Sequence, residues 1–294
     1  MKFNLSADVG NSPRHRVKHR KKRTIRRRWP LLLLAIAPAL FISTSSGGAG
    51  AAPWKFSHSE EFNGPAGSQP SSKLWLIDTG GGWGNGELES YTARTSNVSE
   101  NGKGQLVLTA RRETYTGADG ITSKWTSGRI TSLQPIKYGA VIARIKLPKG
   151  QGLWPAFWTV GTDIVTKGWP RSGEIDIMEA LNKMPTVFGT LHGPTTNGKA
   201  YGIGTKTSPA EGVGSGWHTY GINWSPLGIN WYLDGHRYGR ITKASLPATD
   251  QWEFDKPHVV QLNLAVGGVW PGPPNATTPA VSTMLVDYVR YYSN

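Results

Sequence analysis

The 294-residue chain contains no cysteine. That excludes a disulfide framework, Cys-ligated zinc or iron–sulfur clusters, a thiol nucleophile and thiol lipidation. Charged residues are scarce at 18%, and methionine is rarer still, with four in the chain. One apolar run stands out, Trp29 to Ile42, and it falls short of the ~20 residues that span a bilayer comfortably. Long runs with helical period and convincing caps are also missing. Glycine (37), proline (20) and tryptophan (13) are plentiful instead. Aromatic content argues against disorder, and Gly/Pro punctuation favours strands and turns.

The formal net charge of +14 is unevenly spread. Residues 1–51 hold eleven Lys/Arg against Asp8 alone, whereas the remainder holds 22 basic and 18 acidic residues. Basicity therefore belongs to the N-terminal segment, and a nucleic-acid partner, which would rest on net charge, is not expected. A basic stretch, the short apolar run and Ala49-Gly50-Ala51 together have the layout of a cleavable secretory signal. Residues 1–51 are read as that signal, and Arg26-Arg27-Arg28 permits twin-arginine export. The expectation is a secreted, extracellular product with no stable membrane anchor after cleavage. Residues 52–294 show no linker, repeat or second-domain boundary and read as one catalytic-sized β domain, expected to be a monomer.

Strand signals dominate this domain. In Tyr138–Leu147, Val141, Ala143, Ile145 and Leu147 share one face at period two. His218 to Ile241 reads as strand, turn, strand, then Asp234-Gly235 as a tight hairpin and a returning strand. Val259–Val266 and Met284–Tyr292 are further strands. Many short strands imply an all-β sandwich or barrel, with two sheets of about six to eight strands each.

The acids converge in Gly173–Ala180, GEIDIMEA. Glu174 and Asp176 share a strand face, and Ile175 and Ile177 take the other. Glu179 has the wrong parity unless a β-bulge near Ile177–Met178 adds one residue. The bulge would bring its Cα to ~13 Å from that of Glu174 instead of ~16 Å. Carboxyl groups that act as nucleophile and acid in sugar hydrolysis must approach within ~5–5.5 Å, so the sheet must be concave. Like charges on one face raise at least one carboxyl pKa, and unequal pKa values equip a pair for acid–base chemistry. A solvated outer face or a calcium site is the plain alternative for such an acidic strand. The surrounding tryptophans, in GLWPAFW (Gly152–Trp158), at Trp169 and in the Gly-rich turns at Trp83 and Trp270, offer flat faces suited to sugar rings.

GEIDIME resembles the active-site strand of laminarinase-type β-glucanases of glycoside hydrolase family 16. SEEFNG (59–64), GWGNGELESYT (82–92), TSGRITS (126–132), YGAVIARIKLPKGQGLWPAFW (138–158), TLHGP (190–194), HTYGINWSPLGINWYLDG (218–235), LNLAVGGVWPGPP (262–274) and VDYVRYY (286–292) follow the family's order. The resemblance implies an all-β jelly-roll sandwich of two curved antiparallel sheets with a concave substrate cleft. It also implies an endo-β-1,3-glucanase of the retaining kind acting on β-glucan. Glu174 would be the nucleophile, Glu179 the acid/base and Asp176 the partner of the nucleophile. The spacing E-x-D-x-x-E resembles β-1,3-glucanases, whereas mixed-linkage enzymes of the family typically carry E-x-D-x-E. Trp83, Asn85, Arg129, Trp154, Trp158, His192 and Trp270 would contact sugar. No catalytic cofactor is implied, and His spacing shows no metalloenzyme motif. A structural Ca2+ is implied, held by the Asp287 carboxylate and the carbonyls of Glu61 and Gly104. Gly86, Val269 and Phe188 depart from the family pattern near the cleft, which leaves subsite preference open. Mixed-linkage glucanase, galactanase, agarase or transglycosylase activity, and glucan binding without catalysis, are the other readings.

Overall fold

A computed structural model describes residues 54–293, so the segment read as a signal lies outside the described residues. Seventeen strands occupy this span. They begin with β1 (Lys55–Glu60), β2 (Trp75–Ile77), β3 (Glu89–Tyr91), β4 (Val98–Glu100), β5 (Leu106–Thr116) and β6 (Thr122–Ser127). β7 (Arg129–Ser132), β8 (Gly139–Lys146), β9 (Leu153–Gly161), β10 (Glu174–Glu179), β11 (Val187–Pro194) and β12 (Ala200–Thr207) follow. β13 (Trp217–Ser225), β14 (Gly228–Leu233), β15 (His236–Ile241), β16 (His258–Val266) and β17 (Val281–Ser293) complete the set. One four-residue helix, α1 (Ile164–Lys167), interrupts them.

The strands form two sheets. One runs β12-β11-β10-β9-β16-β7-β2. The other runs β15-β14-β13-β8-β17-β5-β6-β3, with β1 added on β17 and β4 on β5. The second sheet thus has ten strands, more than the expected eight, because two short strands flank its main path. Pairing is antiparallel throughout apart from β3 with β6.

Period-two alternation decides what lies between the sheets. Val141, Ala143 and Ile145 of β8, with Leu147 beyond it, sit in the core as expected. They face Phe157 of β9, Ile175 and Ile177 of β10, and Leu262 and Leu264 of β16. Ala140 and Ile142, on the opposite face of β8, are also buried, so this strand is covered more fully than a half-buried one. The hairpin forms where expected: Asp234 (φ 49°) and Gly235 (φ 80°) supply the two positive-φ turn residues between β14 and β15.

One core contact fixes the acidic strand directly. The Trp231 indole, on β14 of the ten-stranded sheet, crosses the interior and donates from Nε1 to the backbone carbonyl of Asp176 at 2.7 Å. Gly189 on β11 makes room for it, because a Cβ there would drive into the indole ring.

Candidate active site

The seven-stranded sheet turns its other face to a trough. On β9 the odd positions Leu153 and Phe157 fill the core, which leaves Trp154 and Trp158 facing the trough. By the same alternation β16 presents Gln261 and Asn263, β7 presents Arg129 and β11 presents Phe188, Thr190 and His192. A sheet face without walls would leave these groups exposed. Asp176 (3%), Glu179 (8%), Gln261 and Asn263 are nonetheless buried, with Trp154, Trp158, His192 and Arg129 against them.

The acids reach this face through the bulge. Against β9, Asp176 pairs with Trp158 and Met178 with Phe157, so two steps on β10 oppose one on β9. Against β11, Asp176 pairs with Thr190 and Glu179 with Phe188, three steps against two. The extra residue lets Ile177 and Met178 both enter the core and returns Glu179 to the side of Glu174 and Asp176. Glu179 Oε1 accepts the Trp154 Nε1–H at 2.9 Å. His192 Nε2 lies 3.2 Å from Asp176 Oδ2 and 3.9 Å from Glu174 Oε1.

Burial raises the pKa of all three acids. Asp176 is pushed up to about 8 by it. Burial and then the Asp176 charge hold Glu174 and Glu179 well above the carboxylate range. The opposing influences differ between the two glutamates. His192 and Arg129 favour ionised Glu174. Trp154 and His192 favour ionised Glu179, but the charge of Glu87 opposes it. The arrangement can therefore keep one glutamate ionised while its neighbour holds a proton.

The expected sugar contacts collect around the acids. The Arg129 guanidinium sits between two indoles, 4.3 Å from the Trp83 ring centre and 5.0 Å from that of Trp158. Its Nε is 3.4 Å from Asp78 Oδ2, and its terminal nitrogen donates to Gln261. Trp158 Nε1 donates to Asn263 Oδ1 at 2.7 Å. Trp270 meets Trp154 edge-on at 5.5 Å and Phe188 at 4.9 Å. Asn85 is exposed in a left-handed turn (φ 63°), and its carbonyl accepts the Val269 N–H. Trp169 tilts over His192 at 6.1 Å.

Several groups were not singled out from the sequence: Asp78, Gln261, Asn263, Tyr91, Glu87 and Glu89. The last three alternate in GELESYT, so a strand places them on one face, and that alternation was the available signal. The others become visible only through long-range register, such as Asn263 opposite Arg129.

Two metal questions arise. Glu174, Asp176 and His192 offer ligand atoms within 4.8 Å of one another, a cluster that sequence spacing did not reveal. The implied calcium donors lie elsewhere. The Glu61 carbonyl does approach Gly104, 3.7 Å from where a Cβ would stand. The Asp287 carboxylate, however, is paired with Arg144 at 2.8 Å, and the Glu61 side chain with Arg290. The guanidinium engages one oxygen of the one charged ligand in the set, so a calcium ion held by these residues would share Asp287 with Arg144.

A family model described as glycosyl hydrolases family 16 matches residues 86–290. The chain is 36% identical over 255 residues to a protein of Rhodothermus marinus named beta-glucanase, covering 81% of this chain and 85% of that protein. Its fold is similar to that of the endo-beta-1,3-glucanase from Pyrococcus furiosus (TM-score 0.75, 43% identity, 82% and 94% of the two chains). It is similar, too, to the catalytic domain of an endo-1,3-beta-glucanase (laminarinase) from Thermotoga petrophila (TM-score 0.75, 38% identity, 82% and 98%).

Proposed function

From its membership of glycosyl hydrolase family 16, to which this chain belongs as an endo-β-glucanase, we propose that it cleaves internal β-1,3-glucosidic bonds of laminarin-like glucans with retention of configuration. The bulge in β10 carries this reading, because it puts Glu174, Asp176 and Glu179 on one face of the trough. The likeness to proteins named endo-1,3-β-glucanases supports the linkage.

In the first step ionised Glu174 attacks the anomeric carbon. The bond to the leaving oxygen breaks, and Glu179 gives that oxygen its proton. In the second step Glu179, now ionised, takes a proton from water. The hydroxide oxygen bonds to the anomeric carbon, and the ester to Glu174 breaks. Each carboxyl returns to its starting state. Asp176 holds a proton beside the nucleophile and orients it, as burial of its carboxyl favours. His192 and Arg129 bias Glu174 toward the anion. Trp83, Trp158 and Trp270 supply apolar faces for successive sugars.

Export completes the reading. Residues 1–51 act as a signal, and the mature chain works outside the cell; the basic n-region, apolar stretch and A-x-A site support this. N-terminal sequencing of protein recovered from culture medium checks it, with a start near Ala52 expected.

The deciding assay incubates the mature chain with laminarin, mixed-linkage glucan and agarose, beside Glu174→Gln. Reducing ends are expected from laminarin, with loss in the variant. An NMR time course is expected to show the β-anomer first. Inversion would overturn the roles given to Glu174 and Glu179. Binding without release would make the chain a glucan-binding protein.

A further inference from the structure

A second carboxyl pair lies in the wall of the trough. Glu89 opens β3 and is 1% exposed; Glu87 stands two residues earlier on the same face. Glu89 Oε2 accepts the Val266 N–H at 2.7 Å, while its Oε1 meets no N–H or hydroxyl donor. That oxygen is the one free to bond the Glu87 carboxyl, and the two side chains are hydrogen-bonded to each other.

A directed series of donors ends on this pair. Trp158 Nε1 donates to Asn263 Oδ1 at 2.7 Å, and Asn263 Nδ2 donates to the Tyr91 hydroxyl at 3.0 Å. Tyr91 in turn donates to Glu87 Oε2 at 3.4 Å. Both carboxyls therefore accept protein donors at their outer oxygens. Carboxylates donate nothing, so only a proton can join the inner ones. Two adjacent buried carboxylates also cannot both ionise without a large penalty.

The pair is tied to Glu179 by a short strap. Glu87 bridges Gly267, Leu88 N–H donates to the Val266 carbonyl at 2.8 Å, and Val269 N–H donates to the Asn85 carbonyl at 2.8 Å. Gly268 stands over the Trp154 ring, and Trp154 holds Glu179.

We propose that Glu87 and Glu89 are positioning residues that hold one proton between them and present a single negative charge to Glu179. This rests on Glu179 being the general acid. Glu87 is hydrogen-bonded to Tyr91 and Glu89 and feels the charges of Arg129 and Glu179; Glu89 feels those of Glu87 and Tyr91. Arg129 and Tyr91 draw the charge to Glu87, and Glu89 keeps the proton. Glu179 then ionises less readily and stays protonated at the pH where it must donate.

Glu89→Gln tests the pair, because the amide accepts from Val266, donates to Glu87 and leaves one charge. The alkaline limb of kcat/KM on laminarin is expected to stay within about 0.3 pH units of the parent. In the parent-minus-variant infrared spectrum at pH 7, one protonated-carboxyl C=O component is expected, over and above those of Asp176 and Glu179, which both proteins share. Glu87→Gln/Glu89→Gln removes the charge, and its alkaline limb is expected to move down by roughly 0.5–1 unit. A limb that moves down equally in Glu89→Gln, absence of that infrared component, or a limb unmoved in the double variant overturns the proposal. So does failure of Glu89→Gln to fold, since the amide reproduces both hydrogen bonds. Should the double variant not fold, the band and limb of Glu89→Gln decide. The infrared band needs no substrate, so an enzyme inactive on laminarin would refute the glucanase reading while leaving the shared proton testable.

Discussion

Asp176 pays for its position in stability. Its carboxyl is raised from the ordinary aspartate value to about 8 by burial. The folded state thus keeps a proton that the unfolded state releases. The sign follows: this stability is fully present below about pH 4 and is lost as pH rises toward 8. Asp176→Asn removes the dependence. Its melting temperature is expected to match the parent near pH 4 and exceed it increasingly up to pH 8, read by calorimetry. The amide still offers a donor beside Glu174, so its loss of laminarin hydrolysis is expected to be smaller than that of Glu174→Gln. At the same scale, Phe188, Val269 and Gly86 converge on one spot. Phe188 packs on Trp270, Val269 is 84% exposed, and a Cβ on Gly86 would stand 3.8 Å from Val269 Cγ1. Their apolar surface suits the flat face of a sugar. Phe188→Ser is expected to raise KM for laminarin by about 3–10-fold with kcat nearly unchanged, because the contact serves ground and transition states alike.

Among elements, β10 is the one whose register decides chemistry. Deleting Ile177 would leave a regular strand with Glu174 and Glu179 four steps apart, still on one face and at a similar Cα spacing of ~13 Å. Measurable hydrolysis is expected to survive, with lower stability from the lost core side chain, about 2–5 kcal/mol by analogy with large-to-small changes. Inserting one alanine after Met178 would turn Glu179 inward where the bulge is kept, or, as a regular strand, set its Cα six steps, ~20 Å, from that of Glu174; in both cases reducing-end release is expected to vanish. The parity of this strand was legible because Ile175 and Ile177 alternate with acids, and the mismatch at Glu179 itself called for the bulge. β8 was legible for the same reason. The Glu87–Glu89 pair was not, although its alternation was present, because its significance depends on Val266 and Asn263, far along the chain. Nor did the sequence disclose that Arg144 takes the Asp287 carboxylate, since that pairing comes from the register of β8 on β17.

Across the whole molecule, the two-sheet core was readable from Gly/Pro spacing and period-two runs, whereas burial on the trough face was not. That burial is set by neighbours far apart in the chain, such as Trp154 against Glu179 and His192 against Asp176, and it raises all three carboxyls. Distance in sequence also hides which surface sites are real. Asn97 of one N-x-S/T sequon is fully buried, with its amide nitrogen given to the Thr109 carbonyl, whereas Asn275 of another is exposed.

Through the notch at Gly189, the strand that bears the acids hangs by a backbone oxygen from an indole rooted in the opposite layer. Anyone redesigning this scaffold meets an asymmetry there. Grafting new rim loops can alter which polymer is cut, but repacking the interior around Trp231 would disturb the tool that does the cutting.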